Sequence, residues 1–132
     1  MQKHILIGDD NPLIRKTLRQ FLEKQDGWVV VGEADNGKEA VEKALELKPD
    51  LVVLDISMPV MNGLDAAREL RRLLPSIPLI IFTSFKSDQV NHLALSAGAS
   101  AVVSKCEPES LVRHIHSLLE SPARSTPNPL SA

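Results

Sequence analysis

Four short apolar runs in this chain each stop on a polar residue. Ile5-Leu6-Ile7-Gly8 meets Asp9-Asp10, Leu51-Val52-Val53-Leu54 meets Asp55, Leu79-Ile80-Ile81-Phe82 meets Thr83, and Ala101-Val102-Val103-Ser104 meets Lys105. Runs of this length read as buried strands. The segments between them have helical period, the pattern of βα units around a parallel sheet covered on both faces. Parallel strands share a carboxyl edge, where ligands of open α/β sheets bind. The pattern therefore brings three carboxylates, a hydroxyl and an ammonium to one edge, a set suited to a divalent cation and a phosphate group.

Five βα repeats fit. Asn11 caps the first helix with Pro12 at its first position; Ile14, Leu18, Phe21 and Leu22 share a face, and Gly27 supplies the stop. After a strand over 28–34, Asn36 with Glu39 resembles a capping box. Ala40, Val41, Ala44 and Leu47 form that helix's buried side, and Pro49 ends it. Asn62-Gly63 opens a third helix through Leu64, Ala67, Leu70 or Arg71 and Leu74, closed by Pro75. Ser87 or Asp88 caps a fourth that stops at Gly98. Leu111, Ile115 and Leu118 make one stripe on the fifth. Residues 1–121 read as one domain, and 122–132, rich in proline and without apolar period, as a flexible tail or the start of a linker.

Composition narrows the function classes. With 132 residues, 43% of them hydrophobic, the chain builds a core that needs no covalent staples. Its one cysteine, Cys106, rules out an internal disulfide, and no apolar run approaches the roughly 18 residues of a membrane span. These features predict a cytoplasmic protein without membrane insertion. A net charge of -2 and an aromatic content of 3% give neither the basic footprint nor the stacking platforms of a direct nucleic-acid binder.

The strand-end residues gain meaning together. Asn11-Pro12 already opens the first helix, which leaves Asp9 and Asp10 as adjacent carboxylates without a structural duty. Asp55 alone could open a turn. Beside Asp9 and Asp10 it completes a cluster of like charges that raise one another's pKa unless a hard cation is present, and Mg²⁺ fits such oxygen donors. Thr83 and Lys105 add a hydroxyl donor and a fixed positive charge for the oxygens of a transferring phosphoryl group. His114 and His116, two apart on a helix, point to different faces and read as solvated surface; His4 and His92 have no partner in the sequence. Cys106 reads as an inert small residue.

Asp9-Asp10, the Leu-Asp-Ile-Ser-Met-Pro-Val-Met-Asn-Gly-Leu block from Leu54 to Leu64, Thr83-Ser84, and Ala97-Gly98-Ala99 leading to Lys105 resemble the receiver domain of two-component response regulators, over about residues 3–120. The resemblance implies a flavodoxin-like (βα)5 doubly wound parallel sheet in the order 2-1-3-4-5. It also implies the site roles. Asp55 would accept a phosphoryl group from a sensor histidine kinase or phosphotransfer protein. Asp10 would bind Mg²⁺ directly and Asp9 directly or through water, with Asp55 and the Ser57 backbone carbonyl completing the set. Thr83 would contact the phosphoryl oxygen, and Lys105 would pair with the phosphate. Phe85 and Ser57, two residues past Thr83 and Asp55, would tune the lifetime of the acyl phosphate.

Two departures mark this chain. Val102 stands where the family usually has a rotating aromatic, and Cys106 where a proline follows the lysine, so a switch here works through Thr83 and its loop. The Val-Gly-Glu-Ala-Asp-Asn-Gly run from Val31 is most similar to receivers of the NarL/LuxR type. That similarity implies transcription regulation through a helix-turn-helix output domain outside this chain, with a homodimer through the face of helix four, strand five and helix five. The chemistry expected is self-phosphorylation and autodephosphorylation rather than multiple turnover. A phosphohydrolase would need a cap insertion and a second acid two residues after Asp55, where Ser57 stands. The alternatives are a receiver-like docking module that works without phosphorylation, or a stand-alone single-domain regulator.

Overall fold

The computed structural model describes residues 2–120. It has five strands, β1 (Lys3–Gly8), β2 (Trp28–Ala34), β3 (Leu51–Leu54), β4 (Leu79–Thr83) and β5 (Ala101–Ser104), each followed by a helix. These helices are α1 (Pro12–Glu23), α2 (Gly37–Leu47), α3 (Gly63–Leu73), α4 (Asp88–Ser96) and α5 (Pro108–Glu120). All strand pairings are parallel, as the βα alternation predicts, and the order is β2-β1-β3-β4-β5, as the family resemblance implies. The expected division into residues 1–121 and a tail over 122–132 turns on residues outside those described.

Alternation along the strands divides the core into two layers. Ile5 and Ile7 of β1, Leu51 and Val53 of β3, and Ile80 and Phe82 of β4 pack with Leu18, Leu22, Leu111 and Ile115 under α1 and α5. Leu6, Val52, Leu54 and Ile81 point the other way, onto the alanine-rich faces of α2 and α3 and onto Ala94 of α4. Every residue of β3 is buried, which is why it reads as an unbroken apolar run rather than an alternating one. Small residues at Ala40, Ala44, Ala66 and Ala67 let α2 and α3 lie close to the sheet.

Helix starts follow their caps. The Asn11 side chain accepts from the backbone N–H groups of Leu13 and Ile14, Asn36 from Glu39, Asn62 from Asp65, and Ser87 from Val90. The expected capping box at Asn36 is shifted by one residue, because the Glu39 carboxylate accepts the N–H of Asp35 at 2.9 Å. Helix ends are read less well. α1 stops at Glu23, before the Gly27 turn, and α5 buries Leu119 while Leu118 is only partly covered. Leu47 is 38% exposed rather than part of the α2 core face, since it stands at the helix terminus just before left-handed Lys48. His116 is not simply solvated: its ring lies 4.6 Å from that of Trp28.

The β3–α3 loop carries the tightest geometry. A Cβ on Gly63 would lie 2.0 Å from the carbonyl oxygen of Asp55, so α3 can start beside the strand end only with glycine there. Val60, 80% exposed, holds φ at +68°, a region that β-branched residues rarely occupy. Val60→Asn should therefore stabilise the fold by about 1 kcal/mol, seen as a higher urea midpoint at unchanged m-value. Gly63→Ala should destabilise it by about 1–3 kcal/mol on the same measurement.

Candidate functional site

The carboxyl edge of the sheet gathers the expected residues. Asp9 follows β1, Asp55 follows β3, and each offers a carboxylate oxygen that lies, with one from Asp10, within a 4.8 Å cluster. Asp9 and Asp55 are buried and Asp10 is exposed, so the cluster opens to solvent on one side. Lys105 follows the edge strand β5 and reaches back over β4 and β3. Its Nζ donates to Asp9 Oδ2 at 2.5 Å and stands 3.2 Å from Asp55 Oδ2.

Asp9 does carry a structural duty, contrary to the expectation. Its Oδ1 accepts the Asn11 N–H at 2.9 Å while its Oδ2 holds Lys105, which orders the turn into α1. Asp10 is left as the carboxylate free to face solvent. Ser57 is exposed two residues past Asp55, and among the described residues its carbonyl accepts no hydrogen bond, so it remains available to a ligand.

Thr83 is fully buried at the end of β4. Its Oγ1 accepts the Phe85 N–H at 3.1 Å, and its carbonyl accepts the Lys105 N–H at 2.9 Å. The hydroxyl keeps its own proton to donate. Phe85 itself is 69% exposed. Val102 is buried at 8% in the layer beneath α4, so this position holds a packed aliphatic side chain and no aromatic. Cys106 is exposed, with its N–H donated to Ser104 Oγ.

Burial pushes the Asp55 carboxyl above its ordinary range; Lys105 pulls it down and the charge of Asp9 pushes it up again, leaving it raised. Burial works against the Lys105 ammonium, but the Asp9 hydrogen bond and both carboxylates outweigh it and hold the lysine protonated. Two of the three acids, Asp9 and Asp55, thus share one ammonium, and Asp10 has none. An all-oxygen donor set with surplus negative charge and an open side fits a hard divalent cation. Two participants carry no motif. Arg15 and Glu33 sit behind Asp9, and the only signal for them is an arginine one turn into the helix after the acid pair and an acid near the end of the neighbouring strand.

Comparison with known proteins decides the family. The response regulator receiver domain model matches residues 5–116. This chain belongs to the response regulator receiver family. The receiver is 39% identical over 117 residues to the chemotaxis protein CheY of Thermotoga maritima, covering 88% of this chain and 97% of that one. It is 44% identical over 115 residues to the transcriptional regulatory protein YhcZ of Bacillus subtilis, covering 85% of this chain but only 54% of that protein. Among solved structures, a two-component response regulator of the LuxR family from an Aurantimonas species superposes with a TM-score of 0.87 at 33% identity, covering 91% of this chain and 86% of that one. The receiver thus spans nearly all of one relative and about half of another. These neighbours support the NarL/LuxR assignment, and the chain is a signalling domain of two-component systems. Among the described residues, no helix is long and apolar enough to cross a membrane.

The charge arrangement predicts opposite outcomes for two substitutions. A carboxyl whose folded pKa is raised is destabilising when ionised: stability falls as pH rises through the unfolded value near 3.8 and stays lower above the folded value. Asp55→Asn should therefore raise the melting temperature of the metal-free receiver at pH 7, with the gain vanishing below about pH 4. Lys105→Met strands two buried carboxylates and should cost about 3 kcal/mol at pH 7, and less in acid, by thermal unfolding without metal.

Proposed function

We propose that Asp55 accepts a phosphoryl group from the phosphohistidine of a sensor histidine kinase or phosphotransfer protein. Asp9, Asp10, Asp55 and the Ser57 carbonyl would hold the Mg²⁺ that this transfer uses. The observation that carries the reading is the position of Asp55, buried at the strand end between the acid cluster and the Lys105 ammonium. With Asp9 buried and Asp10 exposed, the cluster is open to solvent on the Asp10 side, where a partner's side chain could approach in line.

In the transfer, a carboxylate oxygen of Asp55 bonds to phosphorus as the donor's P–N bond breaks, and its electron pair returns to the imidazole. Lys105 is positioned to leave Asp9 and pair with the incoming phosphoryl oxygens. When bound, Mg²⁺ would neutralise the remaining charge on those oxygens. Thr83 donates its free hydroxyl proton to one of them. Because Thr83 Oγ1 also holds the Phe85 N–H, that contact pulls on the β4–α4 loop. Val102 supplies no aromatic for the family's rotating switch, so the loop is the moving part.

Leu13 in the first turn of α1, and Val60 and Phe85 on the β3–α3 and β4–α4 loops, are 70%, 80% and 69% exposed at the same carboxyl edge, an apolar rim that a docking kinase would cover. Reversing a population from 1:99 to 99:1 takes about 5.5 kcal/mol, more than one phosphoryl contact set readily supplies, so dimerisation adds to the switch. Helix α4, which buries only Ala94, would form part of a homodimer through the α4–β5–α5 face. In this reading the receiver works in the cytoplasm, turns over only its own phosphoryl group, and passes the signal to transcription through a helix-turn-helix domain. Residues 1–121 would then be the receiver and 122–132 the tail or linker leading to that domain.

Intact mass after incubation with acetyl phosphate tests the reading. A single phosphoryl gain is expected with Mg²⁺, none without it, and none in Asp55→Asn. A folded, Mg²⁺-supplied receiver that gains no mass would instead indicate a docking module that works without phosphorylation.

A further inference from the structure

Behind the acid cluster lies an ion-pair network that touches the metal-site backbone. Arg15, in the first turns of α1, has a side chain only 18% exposed. Its Nη1 donates to the backbone carbonyl of Asp9 at 2.7 Å, and its Nε donates to Glu33 Oε1 at 3.2 Å. Glu33 lies near the end of β2, where its other oxygen accepts Arg19 Nη1 at 2.8 Å. Burial favours the neutral Glu33 acid, but the two arginines outweigh it and keep the carboxyl ionised.

The consequence is geometric. The carbonyl of Asp9 belongs to the same peptide plane as the N–H of Asp10. Asp9 is otherwise pinned through its N–H to Ala34 O at 3.0 Å and through its carboxylate to Asn11 and Lys105. Arg15 supplies the remaining restraint, and that restraint sets the direction in which the exposed Asp10 side chain leaves the backbone. Charge alone would make an arginine unwelcome beside a cation site. Pairing with ionised Glu33 cancels much of that penalty, so the guanidinium can serve as a two-pronged clamp.

Resting on the reading of the acid cluster as a Mg²⁺ site, we propose that Arg15 is a positioning residue that orients the Asp9–Asp10 peptide for metal binding. Glu33 in turn orients Arg15. Neither residue touches the phosphoryl group. The effect should therefore appear in metal affinity and not in the phosphotransfer step once metal saturates.

The test is Mg²⁺ titration calorimetry on the full chain, with phosphorylation by acetyl phosphate measured across Mg²⁺ concentration and thermal unfolding run in parallel. Arg15→Ala should weaken Mg²⁺ binding about tenfold, the scale of lost outer-shell support, while the phosphorylation rate at saturating Mg²⁺ stays near that of the unaltered chain. Glu33→Gln should weaken binding in the same direction by a smaller factor. Arg15→Lys, whose ammonium cannot span both partners with the same geometry, should fall between Ala and Arg. An unchanged Mg²⁺ affinity in Arg15→Ala, whatever its melting temperature, would make the network merely structural and overturn the proposal. Should Arg15→Ala fail to fold, unchanged affinity in both Arg15→Lys and Glu33→Gln overturns it equally. Absence of Mg²⁺ binding by the unaltered chain defeats the metal-site reading itself, a result distinct from normal binding that Arg15 does not influence.

Discussion

Lys105 holds the carboxyl edge of this sheet together. Its ammonium joins Asp9, 96 residues earlier, and Asp55, and so ties the end of β5 to the end of β3 across β4 and to the end of β1 across β4 and β3. Without that cation the edge would carry buried negative charge with nothing to balance it, a costly arrangement in a low-dielectric site. With it, the balance is still incomplete. Three carboxylates against one ammonium leave a surplus that a divalent cation can neutralise, and a phosphoryl group can in turn draw Lys105 away from Asp9. The same ion pair that stabilises the resting domain is the one that phosphorylation would rearrange.

The apolar architecture makes this concentration of charge tolerable. Two core layers, divided by strand alternation, fix the strand ends to the precision of packed side chains, and the polar residues sit where the strands run out. Gly63 carries the tightest contact in that frame, because α3 can begin beside the carbonyl of Asp55 only without a Cβ. Helix α4, by contrast, buries only Ala94 and leaves Leu93 and Leu95 in solvent. A helix held this lightly, joined to Thr83 through the loop that carries Phe85, is the element that the proposed switch would move.

Family membership and site chemistry stand on different supports. Membership rests on a match over residues 5–116 and on relatives with close to 40% identity. The roles proposed for Asp9, Asp10, Asp55, Ser57, Thr83 and Lys105 rest on their positions in the motif and on the geometry they adopt here. Val102 and Cys106 are the points at which this chain leaves the family's usual pattern, and at Val102 an aliphatic side chain packed under α4 fills the space and offers no aromatic ring to rotate.

The five βα units, the caps at Asn11, Asn36, Asn62 and Ser87, and the polar residues ending the strands were legible in the sequence, because each depends on residues near one another along the chain. Periodicity, capping and turn chemistry are local physics, and they marked the site residues by placing them just past apolar runs. Helix ends were less legible: whether Leu118 or Leu119 faces the core, or whether Leu47 is covered, depends on how the neighbouring elements approach. The second duty of Asp9 and the clamp formed by Arg15 and Glu33 belong to the tertiary structure alone. They arise where α1, β2 and β5 converge on one turn, and a contact between residues far apart in the chain leaves no period for the sequence to display.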